Sequence, residues 1–215
     1  MTILKDVTLI CVDCVDVTRA IGAMEQCWNE DFSFATMKLL TTSSNCSFGG
    51  WYPWVKAIEP ITNIRDYSKF MIKELHNYVE TSHALCIQWD AFILNHSAWD
   101  NSWLQYDYIG APWWFSDNKN VGNGGFSLRS KKFMKACSEL PTKNFHPEDV
   151  TMCRVYRKYL ESKGIVFAPE EVAAKFAIEG NQKYGRTWNG QFGFHDLEMT
   201  DISKWAGYEN YIQIK

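Results

Sequence analysis

His83-Ala84-Leu85-Cys86-Ile87-Gln88-Trp89-Asp90-Ala91-Phe92-Ile93-Leu94-Asn95 is the stretch whose reading decides the fold. Ala84 to Ile87 is fully apolar, the strongest strand signal in the chain, and Asp90 follows it inside a run that stays apolar to Leu94. Working outward, Val7 to Val12 is a second compact β-rich run. Asp13 to Asp16 comes next, then a helical pattern in which Ile21, Met24, Cys27 and Trp28 share a face. Strands are predicted at Ala35 to Leu40 and at Val55 to Ile58, separated by a Ser-, Gly- and Asn-rich loop from Thr41 to Pro53. An amphipathic helix is predicted over Ile64 to Val79.

On the other side, Ile109-Gly110-Ala111-Pro112 reads as a break, Gly122 to Gly125 as a flexible turn, and Phe126 to Leu128 as the lead into a helix at Lys131 to Ser138. Pro147 to Leu160 reads as one helix with acids in its first turn, where the macrodipole favours them. A short strand at Ile165 to Phe167 and a helix at Glu170 to Phe176 follow, and the tail after Gly180 is aromatic with weak periodicity. Strands alternating with helices predict an α/β layered domain with a mostly parallel sheet, and the 215 residues carry no repeat and no linker, so one domain over 1–215 is expected. Ligands of such sheets bind beyond the carboxyl ends of the strands, where Asp13 and Asp90 fall.

A net charge of -3 gives no global basic field, which disfavours nucleic acid as the main ligand. Seven cysteines, several inside apolar runs, suit reduced thiols and a cytoplasmic setting. Cys11 and Cys14 make a C-x-x-C spacing, but no second pair completes a zinc site, and ICVDCV reads as the end of a buried strand. No stretch has the roughly 20 apolar residues of a membrane span, so no transmembrane segment is expected. Ten tryptophans permit sugar stacking without establishing it.

Four features could carry chemistry. Asp90 is costly to bury without a cation, a donor or water, though a plain strand-end aspartate reads as well. Gly122-Asn123-Gly124-Gly125 lets backbone approach a ligand but matches neither a P-loop nor a dinucleotide fingerprint. His146-Pro147-Glu148-Asp149 offers two adjacent acids, either as helix caps or with one as a general base. His195, in Gly193-Phe194-His195-Asp196, reads as a metal ligand or phosphate donor, or as a histidine satisfied by a backbone carbonyl.

Taken in order, an Asp-bearing strand end, a glycine loop, a Glu-Asp pair and a C-terminal histidine resemble the motif series of GT-A glycosyltransferases. The stretches HALCIQWDAFILN, YDYIGAPW, VGNGGFSLRS, HPEDV and FGFHD look like an uncharacterised bacterial and viral family of glycosyltransferase-like domains. The resemblance implies a GT-A-like α/β/α sandwich, a UDP- or GDP-linked sugar donor, a glycan or glycoconjugate acceptor, and transfer with inversion in polysaccharide or glycoprotein decoration. Gln88-Trp89-Asp90 matches the metal-binding Asp-x-Asp motif, with Gln88 in place of the first acid. Asp90 and His195 would then hold Mn²⁺ or Mg²⁺ with the donor diphosphate. Asp149 matches the catalytic base and Glu148 its neighbour. Cys11, Val12 and Asp13, with Gln88 and Trp89, would bind the nucleotide. Asn123, Gly124 and Gly125 would meet the donor sugar or acceptor, and Trp113 and Trp114 would either stack on an acceptor or pack in the interior. The rivals are a non-catalytic sugar- or nucleotide-binding module, favoured by Gln88, and a nucleotidyltransferase, disfavoured by the lack of a Gly-rich basic loop after the first strand.

Overall fold

The computed structural model describes residues 1–50 and 54–212. Its central sheet has six strands: β1 (Thr2–Val12), β2 (Phe32–Thr42), β3 (Val55–Ile58), β4 (His83–Ile87), β5 (Tyr108–Gly110) and β6 (Phe126–Ser130). They lie in the order β3-β2-β1-β4-β6-β5. The first four are mutually parallel, and β6 runs antiparallel to both β4 and β5. The result is a mixed, mostly parallel α/β sheet flanked by helices, the GT-A-like arrangement expected.

Pleat alternation sends neighbouring side chains to opposite faces. Leu9, Cys11, Leu39, Leu85 and Ile87 pack on one side against α1 (Val17–Gln26). Ile10, Val12, Leu40, Ala84 and Cys86 pack on the other against α2 (Ile64–Lys73) and α3 (Lys131–Ser138). Every residue of β4 is buried, His83 together with the apolar run Ala84 to Ile87. Asn63 caps α2 by accepting from the amides of Arg65 and Asp66, and Ser130 caps α3 through the amide of Phe133.

The second half departs from the sequence expectations in detail. The helix expected over Pro147 to Leu160 is three pieces: α4 (Glu148–Val150), a π-helical turn (Thr151–Val155) and α5 (Arg157–Ser162). The helix from Ile64 stops at Lys73 and continues only as a 3-10 turn, Leu75–Tyr78. Ile165 to Phe167 is no strand; it makes a single bridge from Phe167 to Tyr108. Ala91 to Leu94 turns away from the sheet, its burial coming from Phe194, Trp205 and Tyr211 around Phe92. After α6 (Glu170–Phe176), β7 (Ala177–Glu179) and β8 (Gly193–His195) form a separate two-stranded parallel sheet, and α7 (Tyr208–Ile212) follows. The loop expected from Thr41 to Pro53 begins as the end of β2 and a 3-10 helix, Ser43–Gly50; Trp51 and the two residues after it lie outside the described residues.

Candidate active site

Strands β1 and β4 are paired in register, Cys11 beside Ile87, so the chain leaves both at the same edge of the sheet. Past β1, the Asp13 carboxylate accepts from the amides of Val15 (2.7 Å) and Asp16 (2.9 Å), and Asp16 in turn caps α1. These local bonds shape one wall of a cavity of about 490 Å³; the Ile61–Ile64 segment, Tyr67, Gln88 and Trp89 make the rest. The Arg19 guanidinium sits 4.8 Å above the Trp89 ring. Val12 and Asp13 line this space, whereas Cys11 is buried in the apolar cluster behind them and has no free surface for a ligand.

Gln88 joins the cavity to a cluster of polar side chains. Its Nε2 donates to the Tyr67 hydroxyl at 3.0 Å, which turns Oε1 toward His195 Nε2, also at 3.0 Å. The same Nε2 lies 3.6 Å from Asp90 Oδ1, while His195 Nδ1 meets Glu179 Oε1 at 3.0 Å and Asn123 Nδ2 at 3.2 Å. Burial pulls the His195 imidazole down, but the Glu179 hydrogen bond and the Asp90 charge outweigh it and hold it above its ordinary value. Burial pushes the Asp90 carboxyl up, with His195 opposing.

Asp90 Oδ1 is buried without a hydrogen-bond partner. An orphaned carboxylate oxygen facing an imidazole nitrogen is a donor set that fits a divalent cation. Among the described residues no group of three or more His, Cys, Asp or Glu could hold a metal, so this chain would supply two ionisable ligands and a bound anion or water the rest.

The glycine loop lies between this cluster and the Glu-Asp pair. Asn123, at φ 60°, accepts through Oδ1 from the amide of Gly125 (3.0 Å). A Cβ on Gly124 would stand 2.2 Å from Glu148 Oε1, and one on Gly125 2.1 Å from His195 Nε2, so a side chain at either position would have to displace the Glu148 carboxyl or the His195 ring. The adjacent acids face different surroundings. Glu148 is buried beside Arg129 (3.9 Å), and burial, reinforced by the Asp149 charge, pushes its carboxyl up to about 7. Asp149 is partly exposed and accepts from the amides of Gly124 (3.1 Å) and Val150 (2.7 Å).

The fold therefore brings Gln88, Asp90, Asn123, Gly124, Gly125, Glu148, Asp149 and His195 into one contiguous neighbourhood. Trp113 does not stand there as a platform. It is 5% exposed, with its indole where a Cβ of residue 122 would be, and so supports the glycine loop from within. Trp114, 58% exposed and tilted 5.0 Å from Phe115, is the indole of the pair that offers a face to solvent. The sequence reading missed Tyr67, Arg129 and Glu179. Arg129 is wholly buried and donates to the Gly124 carbonyl (3.1 Å) and to Ser127 Oγ (2.9 Å). The signal that picked out Asp90, a charge inside an apolar run, does not reach Arg129, which stands between Leu128 and Ser130-Lys131-Lys132.

A family model matches residues 55–195, more than half of the chain and the whole of this cluster. The chain belongs to the protein family of unknown function DUF5672. No curated protein matches the sequence. Among solved structures, this DUF5672 chain is similar to a glycosyltransferase involved in glycosylating the major capsid of PBCV-1: 11% identity, TM-score 0.53, covering 97% of this chain and 99% of that one. It is also similar to a mannosyltransferase from Pyrobaculum calidifontis in complex with GDP-Man and Mn²⁺: 8% identity, TM-score 0.50, covering 76% of this chain. The DUF5672 chain spans only 54% of that mannosyltransferase. Identities this low establish the fold and nothing finer. No described helix is long and apolar enough to cross a membrane.

Proposed function

We propose that this chain is a glycosyltransferase that moves a sugar from a UDP- or GDP-linked donor to a hydroxyl of a glycan or glycoconjugate acceptor, with inversion. The observation that carries the reading is Gln88, which at once walls the open cavity and bonds the His195–Asp90 pair beside the glycine loop that fixes Asp149. A nucleotide in the cavity would direct its diphosphate past Gln88 toward His195, placing the donor sugar against Gly124 and Gly125.

Asp149 removes the proton of the acceptor hydroxyl as that oxygen attacks the anomeric carbon. The new glycosidic bond forms on the opposite face as the bond to the diphosphate oxygen breaks, and the nucleoside diphosphate leaves with its electron pair. Glu148, buried against Arg129, supports the loop and is not the base. With no metal bound, imidazolium His195 stabilises the leaving charge. Asp90 and a neutral His195, its Nε2 free of hydrogen, would hold Mn²⁺ or Mg²⁺, and the bound ion would neutralise the diphosphate in place of the imidazolium. Trp114 would stack on the acceptor ring. One folding unit in the cytoplasm suits the chain: all seven cysteines are free, in keeping with a reducing compartment.

Thermal unfolding against nucleotides and nucleotide sugars, with and without Mn²⁺, tests the reading, because a ligand of the folded state raises the midpoint. A shift that needs both a UDP- or GDP-sugar and Mn²⁺ is expected; no shift across the panel rules the reading out. Gln88 in place of an acid favours a second reading, a non-catalytic nucleotide-sugar binding module. Binding without transfer to any of a panel of glycan acceptors would decide for it.

A further inference from the structure

Parallel pairing of β7 with β8 sets Ala177 against Gly193, Ile178 against Phe194 and Glu179 against His195. The first two pairs are apolar and buried; the third couples a carboxylate to an imidazole, 3.0 Å between Oε1 and Nδ1, with side chains 20% and 17% exposed. Nothing in a short strand requires an acid at its last position. We infer that Glu179 is a positioning residue of the proposed cation and diphosphate site, supplying from β7 the second negative charge that Gln88 does not. This rests on the glycosyltransferase reading above.

An imidazole presents one ring nitrogen to a cation or a phosphate, and the partner of the other nitrogen decides which. Two side chains stand at His195 Nδ1. Asn123 presents its amide nitrogen, because its Oδ1 is committed to the amides of Gly125 and Phe126, and a nitrogen with hydrogens cannot accept a proton bond. Glu179 is the acceptor there. It keeps a hydrogen on Nδ1 and aims Nε2 at the opposite side, where Nε2–H donates to Gln88 Oε1 and faces Asp90 Oδ1, which has no hydrogen bond of its own; a cation would take the place of that Nε2 hydrogen.

A site with Asp90 as its one direct carboxylate carries one negative charge less than an Asp-x-Asp pair. Glu179 restores that charge one imidazole ring away, in a carboxylate–imidazole–cation arrangement that raises the basicity of the ligating nitrogen. The strand register, and no sequence motif, delivers it.

The test compares full-length Glu179→Ala and Glu179→Gln with the unchanged protein by two readouts. The first is Mn²⁺ affinity in the presence of UDP or GDP, measured by the electron paramagnetic resonance of free Mn²⁺. Glu179→Ala should weaken it about 10- to 100-fold. Glu179→Gln, whose Oε1 still accepts from Nδ1 but carries no charge, should recover part of that loss. The second is the imidazole ¹⁵N shifts of His195 without metal, which report which nitrogen holds the hydrogen. Glu179→Ala should move them, and Glu179→Gln should preserve the Nδ1-protonated pattern. Unchanged ¹⁵N shifts in Glu179→Ala overturn the inference whatever the metal does. If the unchanged protein takes up no Mn²⁺ with either nucleotide, the metal reading fails separately, and a Glu179-dependent shift still assigns the ring's orientation to Glu179.

Discussion

The cavity at the ends of β1 and β4 and the polar cluster beside it share Gln88, yet they are assembled in opposite ways. The cavity wall is local work: Asp13 accepts from residues two and three positions on, Asp16 caps α1, and Asn63 caps α2. The cluster is built from distant chain. His195 bonds Gln88 across 107 positions and Glu179 across 16, and Gly124 bonds Asp149 across 25. A wall made of independent local turns loses one contact when one residue changes. A network in which each member fixes the orientation of the next loses geometry throughout, so its substitutions are strongly non-additive.

The most severe expected break is Asp149→Asn. The amide keeps the shape and can still accept from Gly124 but cannot take a proton, so transfer should fall about 10²- to 10⁴-fold while nucleotide affinity stays within about twofold. Steady-state kinetics beside calorimetric nucleotide binding separate the two. Turnover near the unchanged value would remove Asp149 from the role of base.

Next in size is Gly125→Ala. Its Cβ would lie 2.1 Å from His195 Nε2, so the ring must leave its place between Gln88 and Asp90. A displacement of about 1 Å at a reacting centre costs roughly 10²-fold in rate, and that loss is expected here with any Mn²⁺-dependent nucleotide stabilisation gone. A folded Gly125→Ala variant with full activity would mean that the cluster tolerates what its packing forbids.

The two acids sharpen the contrast through pH. The Glu148 carboxyl, at about 7 in the folded chain against about 4.5 unfolded, binds its proton more tightly when folded. Its contribution is therefore full below about pH 4.5 and is lost as pH rises through about 7, at most about 3 kcal/mol in all. The unchanged protein should lose stability toward urea across that window, and Glu148→Gln should flatten the loss. Parallel pH profiles for the two proteins would show that Glu148 is not the group being titrated.

Much of the fold was legible because it rests on local pattern. The run Ala84 to Ile87 is buried β4, and Val7 to Val12 is the inner part of β1. The outer part, Thr2 to Lys5, escaped because its exposed residues hide a pairing with Phe32 to Phe34 that only the sheet reveals. The helix read from Pro147 onward broke at the π-helical turn Thr151–Val155, in which Thr151, Met152 and Cys153 are buried. In the candidate site, Asp90 stood out as a charge inside an apolar run and Asp149 as an acid at a helix start. Glu179 did not, since its meaning lies in being the register partner of a residue 16 positions away. Trp113 and Trp114, indistinguishable as neighbours in sequence, part company only when a glycine offers one of them a place inside.

The smallest expected effect falls on the cavity side and completes the contrast. Arg19 is 62% exposed, paired with Asp16 at 3.3 Å and laid over Trp89 at 4.8 Å. An exposed ion pair contributes under about 1 kcal/mol and a cation–π contact at an exposed site about 0.5–1 kcal/mol, so Arg19→Ala should shift the unfolding midpoint by only a few degrees. Removing one cationic contact at the cavity wall should weaken nucleotide binding about fivefold and leave the maximal rate at saturating donor unchanged, because no member of the His195 network touches Arg19 in the bonds that orient it. A fall in that maximal rate comparable to Gly125→Ala would mean that the wall and the network are one cooperative unit, and that Gln88 transmits a loss on either side to the other.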